Sequence, residues 1–103
     1  MSVTVADAPD RSRFEVAVDG EVVGIAEYRR AHGIVAFVHT EVTPGHEGQG
    51  LAGKLIAGAL DAARGEGLEV LPFCPFVRGY VERHPEYVDL VPADRRRSFG
   101  LAP

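Results

Sequence analysis

The chain has a single cysteine, Cys74, so it cannot form an internal disulfide, and a reducing cytoplasm is the expected setting. No apolar run approaches the ~20 residues that a helix needs to cross a bilayer. The first ten residues include Asp7 and Asp10 and lack the cationic start and apolar stretch of a secretory leader. Cations are also in short supply. Eleven Lys and Arg stand against fifteen Asp and Glu, for a net charge of −4. That balance argues against nucleic acid as a partner, because phosphates reward clustered cations. The one basic run, Arg95 to Arg97, reads as a solvated tail. His32 and His46 do not combine with Cys74 in a metal-binding spacing, so no metal is expected.

What is present is one small domain. With 103 residues, of which 46% are apolar, the chain has no room for a two-domain nucleotide-binding plan or an eight-fold βα barrel. It suits a small sheet carrying one or two helices. The domain is expected to have its core over about 13–91, with mobile ends at 1–10 and 93–103, although Val3 and Val5 alternate with polar neighbours and would also suit a short edge strand.

From Arg13 the apolar residues alternate. Phe14, Val16 and Val18 point one way, and Arg13, Glu15 and Asp19 the other. Asp19-Gly20 is a strong hairpin signal, because a type I′ turn needs positive φ at both central residues. A second strand is expected over Glu21–Arg29 and a turn over Arg30–Gly33. The third strand, Ile34–Val42, places Val35, Phe37, His39 and Glu41 on one face, with Ile34, Ala36, Val38, Thr40 and Val42 on the other. Pro44 stops it. Leu51, Leu55, Ala59, Leu60 and Ala63 then recur at helical spacing up to about Glu66. Gly53 and Gly58 within this helix point to close packing on the sheet. Leu68–Phe73 has the length of a buried strand, reached by a right-handed crossover, and Phe76–Arg83 reads as a short helix. The fold class is α+β, a mixed, mostly antiparallel sheet in the order β-β-β-α-β-α.

The informative segment runs from Val42 to Lys54. A strand ends, a Gly-rich turn follows, and a helix begins. Free backbone N–H groups and the helix dipole make such a junction an anion site. Gly48, Gly53 and Lys54 have the spacing of a Walker loop, but Leu55 stands where a hydroxyl should hold magnesium. Gly48, Gly50 and Gly53 fit a dinucleotide spacing, but antiparallel hairpins precede them where a βαβ unit should begin.

Val42-Thr43-Pro44 followed by Glu47-Gly48-Gln49-Gly50-Leu51-Ala52 resembles the signature loop of the GNAT superfamily of N-acetyltransferases. His39-Thr40-Glu41-Val42, the loop, Pro72 to Val77 and His84 to Tyr87 together resemble its very small single-domain branch. The resemblance covers about Phe14 to Val91. It implies acetyl-coenzyme A as ligand. Backbone groups of Thr40, Glu41 and Val42 would pair with the pantetheine arm, and amides from Gly48 through Gln49, Gly50, Leu51 and Ala52 to Gly53 would hold the pyrophosphate. The strands Ile34–Val42 and Leu68–Phe73 would part to admit the arm. Glu47 stands where the family has Arg or Gln, and Lys54 or His46 could supply the missing positive charge.

Acetyl transfer needs a neutral amine, a stabilised oxyanion and a proton for the departing thiolate. A main-chain N–H near Val42 is the expected oxyanion donor. His39 and Glu41, two apart on one strand face, are the candidate bases, since a carboxylate shielded from water accepts a proton more readily. Cys74 is a candidate nucleophile, with His39 or His84 as base, or a proton donor to the leaving sulfur. A small buried hydrophobe is the plainer role for such a thiol. Tyr80 corresponds to a Tyr that acts as general acid in many members of the superfamily. The expected function is acetyl-coenzyme A-dependent transfer to an amine. The alternative is a coenzyme A-binding module without catalysis. Because Asp19-Gly20 joins the first two strands directly, the acceptor side should be open and shallow. It suits a small or exposed amine, on a monomer or a weak homodimer.

Overall fold

The computed structural model describes residues 1–103. Five strands form one sheet in chain order, β1 (Val3–Ala8), β2 (Arg13–Val18), β3 (Glu21–Ala31), β4 (Ile34–Val42) and β5 (Glu69–Pro72). The first four are antiparallel to their neighbours, and β5 runs parallel to β4. Helix α1 (Leu51–Gly65) makes the crossover from β4 to β5, and α2 (Pro75–Arg83) follows β5. Neither helix is long and apolar enough to cross a membrane.

The hairpin turns follow backbone sterics. Asp19 and Gly20 have φ of 50° and 86°, and His32 and Gly33 have 54° and 78°. Both are pairs of left-handed residues, as tight hairpins on twisted strands require. The second turn is therefore His32-Gly33 alone, and β3 runs on to Ala31, past the expected end at Arg29.

One face of the sheet is covered by α1 and α2. Phe14, Val16, Val23, Ala26, Tyr28, Val35 and Phe37 from the strands meet Leu51, Leu55, Ile56, Ala59, Leu60 and Ala63 of α1 and Val77 and Val81 of α2. The opposite face has no helix on it.

Both ends are tied to the domain. Residues 3–8 take the edge-strand form and not the mobile one, paired with β2 from Val3↔Val18 to Ala8↔Arg13. The strand is held on the helix side partly by Val5, which lies against Gly58. A Cβ on Gly58 would stand 2.8 Å from Val5 Cγ1, so only glycine admits this approach. The C-terminal segment 93–103 folds back as well. Leu101 is buried in the core, and Arg96 Nε donates to Val91 O at 2.9 Å. An apolar anchor and a satisfied carbonyl explain the ordered tail.

Candidate active site

The site is built where β4 outruns β5. Strand β5 pairs with β4 from Ile34↔Glu69 to Phe37↔Pro72 and then stops. Pro72 has no amide hydrogen to extend the ladder. The chain turns, Cys74 N donates to Phe37 O at 2.8 Å, and α2 begins at Pro75. Strand β4 continues to Val42, so its β5-facing edge is left without a strand partner from Val38 onward.

That free end is also rotated. A bulge lies opposite Glu27 and Tyr28, where Glu27 pairs with His39 and Tyr28 with Phe37, leaving Val38 as the extra residue. One inserted residue switches every later side chain to the other face. Val35 and Phe37 are buried under the helices, but His39 and Glu41 are not on their face. They stand on the open side, 51% and 64% exposed, with His39 Nε2 3.2 Å from Glu41 Oε1. The expected partial burial of this pair is thus corrected. Glu41 is not shielded by Val35 and Phe37, because the bulge separates them. Thr40 instead turns inward, and its Oγ1 lies 3.3 Å from Cys74 Sγ.

The four expected catalytic residues therefore divide between two sides of the strand. His39 and Glu41 are on the open face. Cys74 is buried at the start of α2, and Tyr80 sits one helical turn and a half further on. Neither candidate imidazole contacts the thiol. His39 is paired with Glu41, and His84 stacks on Tyr80 with ring centroids 4.0 Å apart. The ring of Tyr80 leans over the first turn of α1, where a Cβ on Gly53 would lie 3.8 Å from Tyr80 Cε2. Burial raises the Tyr80 phenol above its ordinary pKa of 10.0, and the carboxylates of Glu86 and Asp61 add to the shift.

The loop before α1 is open. Gly45, Gly48 and Gly50 have φ of 95°, 78° and 73°. Gly50 is the N-cap of α1, no side chain caps the helix, and its first turn holds no carboxylate. The first helical bond is Lys54 N to Gly50 O at 3.1 Å. Lys54 is exposed in this turn. Leu51 is buried in the core, so its amide alone is available to a ligand. The carboxylate of Glu47 is turned away from the helix and accepts the N–H of Gly45 at 2.9 Å. His46 Nδ1 is enclosed in the loop without a hydrogen-bond partner. These residues fit a diphosphate: free amides, a nearby ammonium, and the one local carboxylate engaged elsewhere.

Sequence reasoning named Thr40 for its backbone only. Its side-chain contact with Cys74 depends on a bulge formed with another strand. Alternation sets Arg13 and Glu15 opposite Phe14 and Val16 without a role, and in the structure that is the open face. There Arg13 Nε and Nη2 both reach Glu15 Oε2, at 2.9 and 2.8 Å.

A fourth strand that runs on past its parallel neighbour, beside an uncapped helix after a glycine loop, is the arrangement of the acyl-coenzyme A N-acyltransferase class. Residues 13–90 match the family described as GCN5-related N-acetyl-transferase, and the chain belongs to that family. Solved structures agree on the fold. A GCN5-like protein from Staphylococcus aureus aligns with a TM-score of 0.66 at 22% identity, over 86% of this chain and 87% of its own. A GNAT family acetyltransferase from Brucella melitensis, in complex with acetyl-CoA, aligns with a TM-score of 0.52 at 25% identity, over 66% of this chain and 50% of its own. N-acetylglutamate synthase from Neisseria gonorrhoeae, complexed with coenzyme A and N-acetyl-glutamate, aligns with a TM-score of 0.51 at 18% identity, over 95% of this chain but 26% of its own. No curated protein matches the sequence.

Proposed function

We propose that this acetyl-coenzyme A-dependent N-acetyltransferase performs its transfer across the free end of β4, with the base on the open face and the acid on the helix side. The observation that carries this reading is the division of side chains made by the bulge at Val38. Acetyl-coenzyme A, when bound, supplies an activated acyl carbon and a thiolate leaving group. The unpaired edge of β4 from Thr40 to Val42 is suited to its pantetheine amides, and the amides from Gly48 to Gly53 to its pyrophosphate. Lys54 and His46 add polar contacts there.

On the open face, Glu41 lies beside Nε2 of His39 and leaves Nδ1 to accept a proton. His39 takes the proton that the acceptor nitrogen loses as its bond to carbon forms. Tyr80 gives a proton to the sulfur as the carbon–sulfur bond breaks. Its raised pKa keeps the phenol protonated at neutral pH. A main-chain N–H near Val42 faces the developing oxyanion. A covalent route through Cys74 would need a base on the thiol. Its contact is Thr40 and not an imidazole, so direct transfer is the favoured route and Cys74 holds the inner wall of the gap. A single buried thiol agrees with a reducing, cytoplasmic setting, and the chain is read as a monomer or weak homodimer.

The test is titration with acetyl-coenzyme A followed by initial rates on amines. Wild type should bind and turn over. His39→Ala should lower kcat by about 10²-fold or more with binding intact. Binding without loss of rate in His39→Ala would remove the base from this scheme, and absence of binding would remove the scheme itself.

A further inference from the structure

Next to Glu41 the open face of the sheet holds a cavity of about 510 Å³. Its walls include Val22, Ile25, Pro44, Thr43, Arg13 and Glu41. That volume lies in the range of small-molecule sites. The charges within it are not equivalent. The guanidinium of Arg13 is engaged along one edge by Glu15, with Nε and Nη2 on the same carboxylate oxygen, and Arg11 Nη1 lies 3.4 Å from that oxygen. An arginine tied in this way has its Nε–Nη2 edge taken, so an incoming carboxylate finds only the Nη1 side and must share the cation with Glu15. Glu41 has the imidazole of His39 beside it, and Glu27 stands next to His39 in the ladder. The cavity therefore presents a mixed wall, apolar at Val22, Ile25 and Val42, with one carboxylate and one guanidinium shared with Glu15.

We propose that this cavity is the acceptor site and that it selects small primary amines lacking a carboxylate over the corresponding α-amino acids. The inference rests on the assignment of His39 and Glu41 to the acceptor side. An ammonium entering the cavity meets Glu41, and the aliphatic or aromatic body lies on Ile25 and Val22. A carboxylate on the same carbon as the amine meets Glu41, and the one guanidinium in the wall is shared with Glu15. Specificity arises as much from this repulsion as from attraction.

The experiment compares kcat/KM for pairs that differ by one carboxylate: 2-phenylethylamine against phenylalanine, and 3-methylbutylamine against leucine. Wild type should favour the amine of each pair by at least about tenfold, equivalent to about 1.4 kcal/mol. Glu15→Gln frees the guanidinium and should narrow that preference by several-fold, with KM for the amino acid carrying the change. The double variant Glu15→Gln/Arg13→Gln should restore it. Thermal unfolding of each variant shows whether the fold is retained, and the wild-type ratio stands as a test without them. Equal or better use of the amino acids by wild type overturns the proposal. So does turnover confined to lysine side chains of proteins, or no turnover of any free amine by a chain that binds acetyl-coenzyme A. Failure to bind acetyl-coenzyme A would instead strike the transferase reading on which this rests.

Discussion

Gly50 shows how much of the site rests on single backbone angles. Its φ of 73° at the N-cap of α1 is a left-handed angle, and a Cβ there would meet nothing within 4 Å. The requirement is thus conformational and not one of space. A β-branched residue in this left-handed region costs about 1–2 kcal/mol. Gly50→Val should weaken acetyl-coenzyme A binding by more than tenfold in titration, with about that cost in urea unfolding; unchanged affinity would detach the loop from the diphosphate. Tyr80 makes a second prediction at this scale. As an acid it must carry its proton, and its raised pKa places the alkaline fall of activity above pH 10. Tyr80→Phe should lower kcat by about 10²-fold and remove that limb from the pH–rate profile. A phenylalanine variant with the wild-type rate would return the ring to packing alone.

Among the elements, α1 and β1 approach closely where Gly58 faces Val5. Gly58→Ala should gain up to ~1 kcal/mol of helix propensity, yet its Cβ would press on Val5 at 2.8 Å. Overpacking of this kind costs about 1–3 kcal/mol, so the net effect should be a lower midpoint in urea. Adding Val5→Ala should recover part of it, a coupling that a double-mutant cycle reads directly. This contact also marks what the sequence could convey. The hairpin at Asp19-Gly20, the length of β4 and the buried stripe of α1 are written in local periodicity and turn chemistry. Val3 and Val5 alternate too, but whether an end strand docks depends on Gly58, more than fifty residues away. The bulge at Val38 is harder still. His39 and Glu41 keep the spacing of Val35 and Phe37, and only the pairing with Glu27 and Tyr28 shows that the face has changed. The loop was legible because its glycines state a backbone need. The partners of Cys74 and Arg13 were not, because they arise from folding.

For the molecule as a whole, two buried tyrosines tie stability to pH. Burial, together with a hydrogen bond to Asp7, pushes Tyr28 up to about 12, and burial with a hydrogen bond to Asp61 does the same for Tyr87. Between pH 10 and 12 the unfolded chain sheds these protons while the folded chain keeps them. Their contribution is complete below pH 10 and fades as pH rises toward 12. Urea midpoints should fall across that window, and less steeply in Tyr28→Phe. The tail adds a second global effect. Leu101→Ala removes a core side chain and should cost about 2 kcal/mol or more by the same measurement. Finally, the stretch of β4 beyond Phe37 is a margin with no strand beside it, and Pro72 prevents β5 from filling it. Such a margin is a template for a foreign strand. The unliganded chain should therefore show rising light scattering on prolonged concentration, and saturating acetyl-coenzyme A should suppress it by lying along that border, which makes the ligand a solubility partner as well as a reactant.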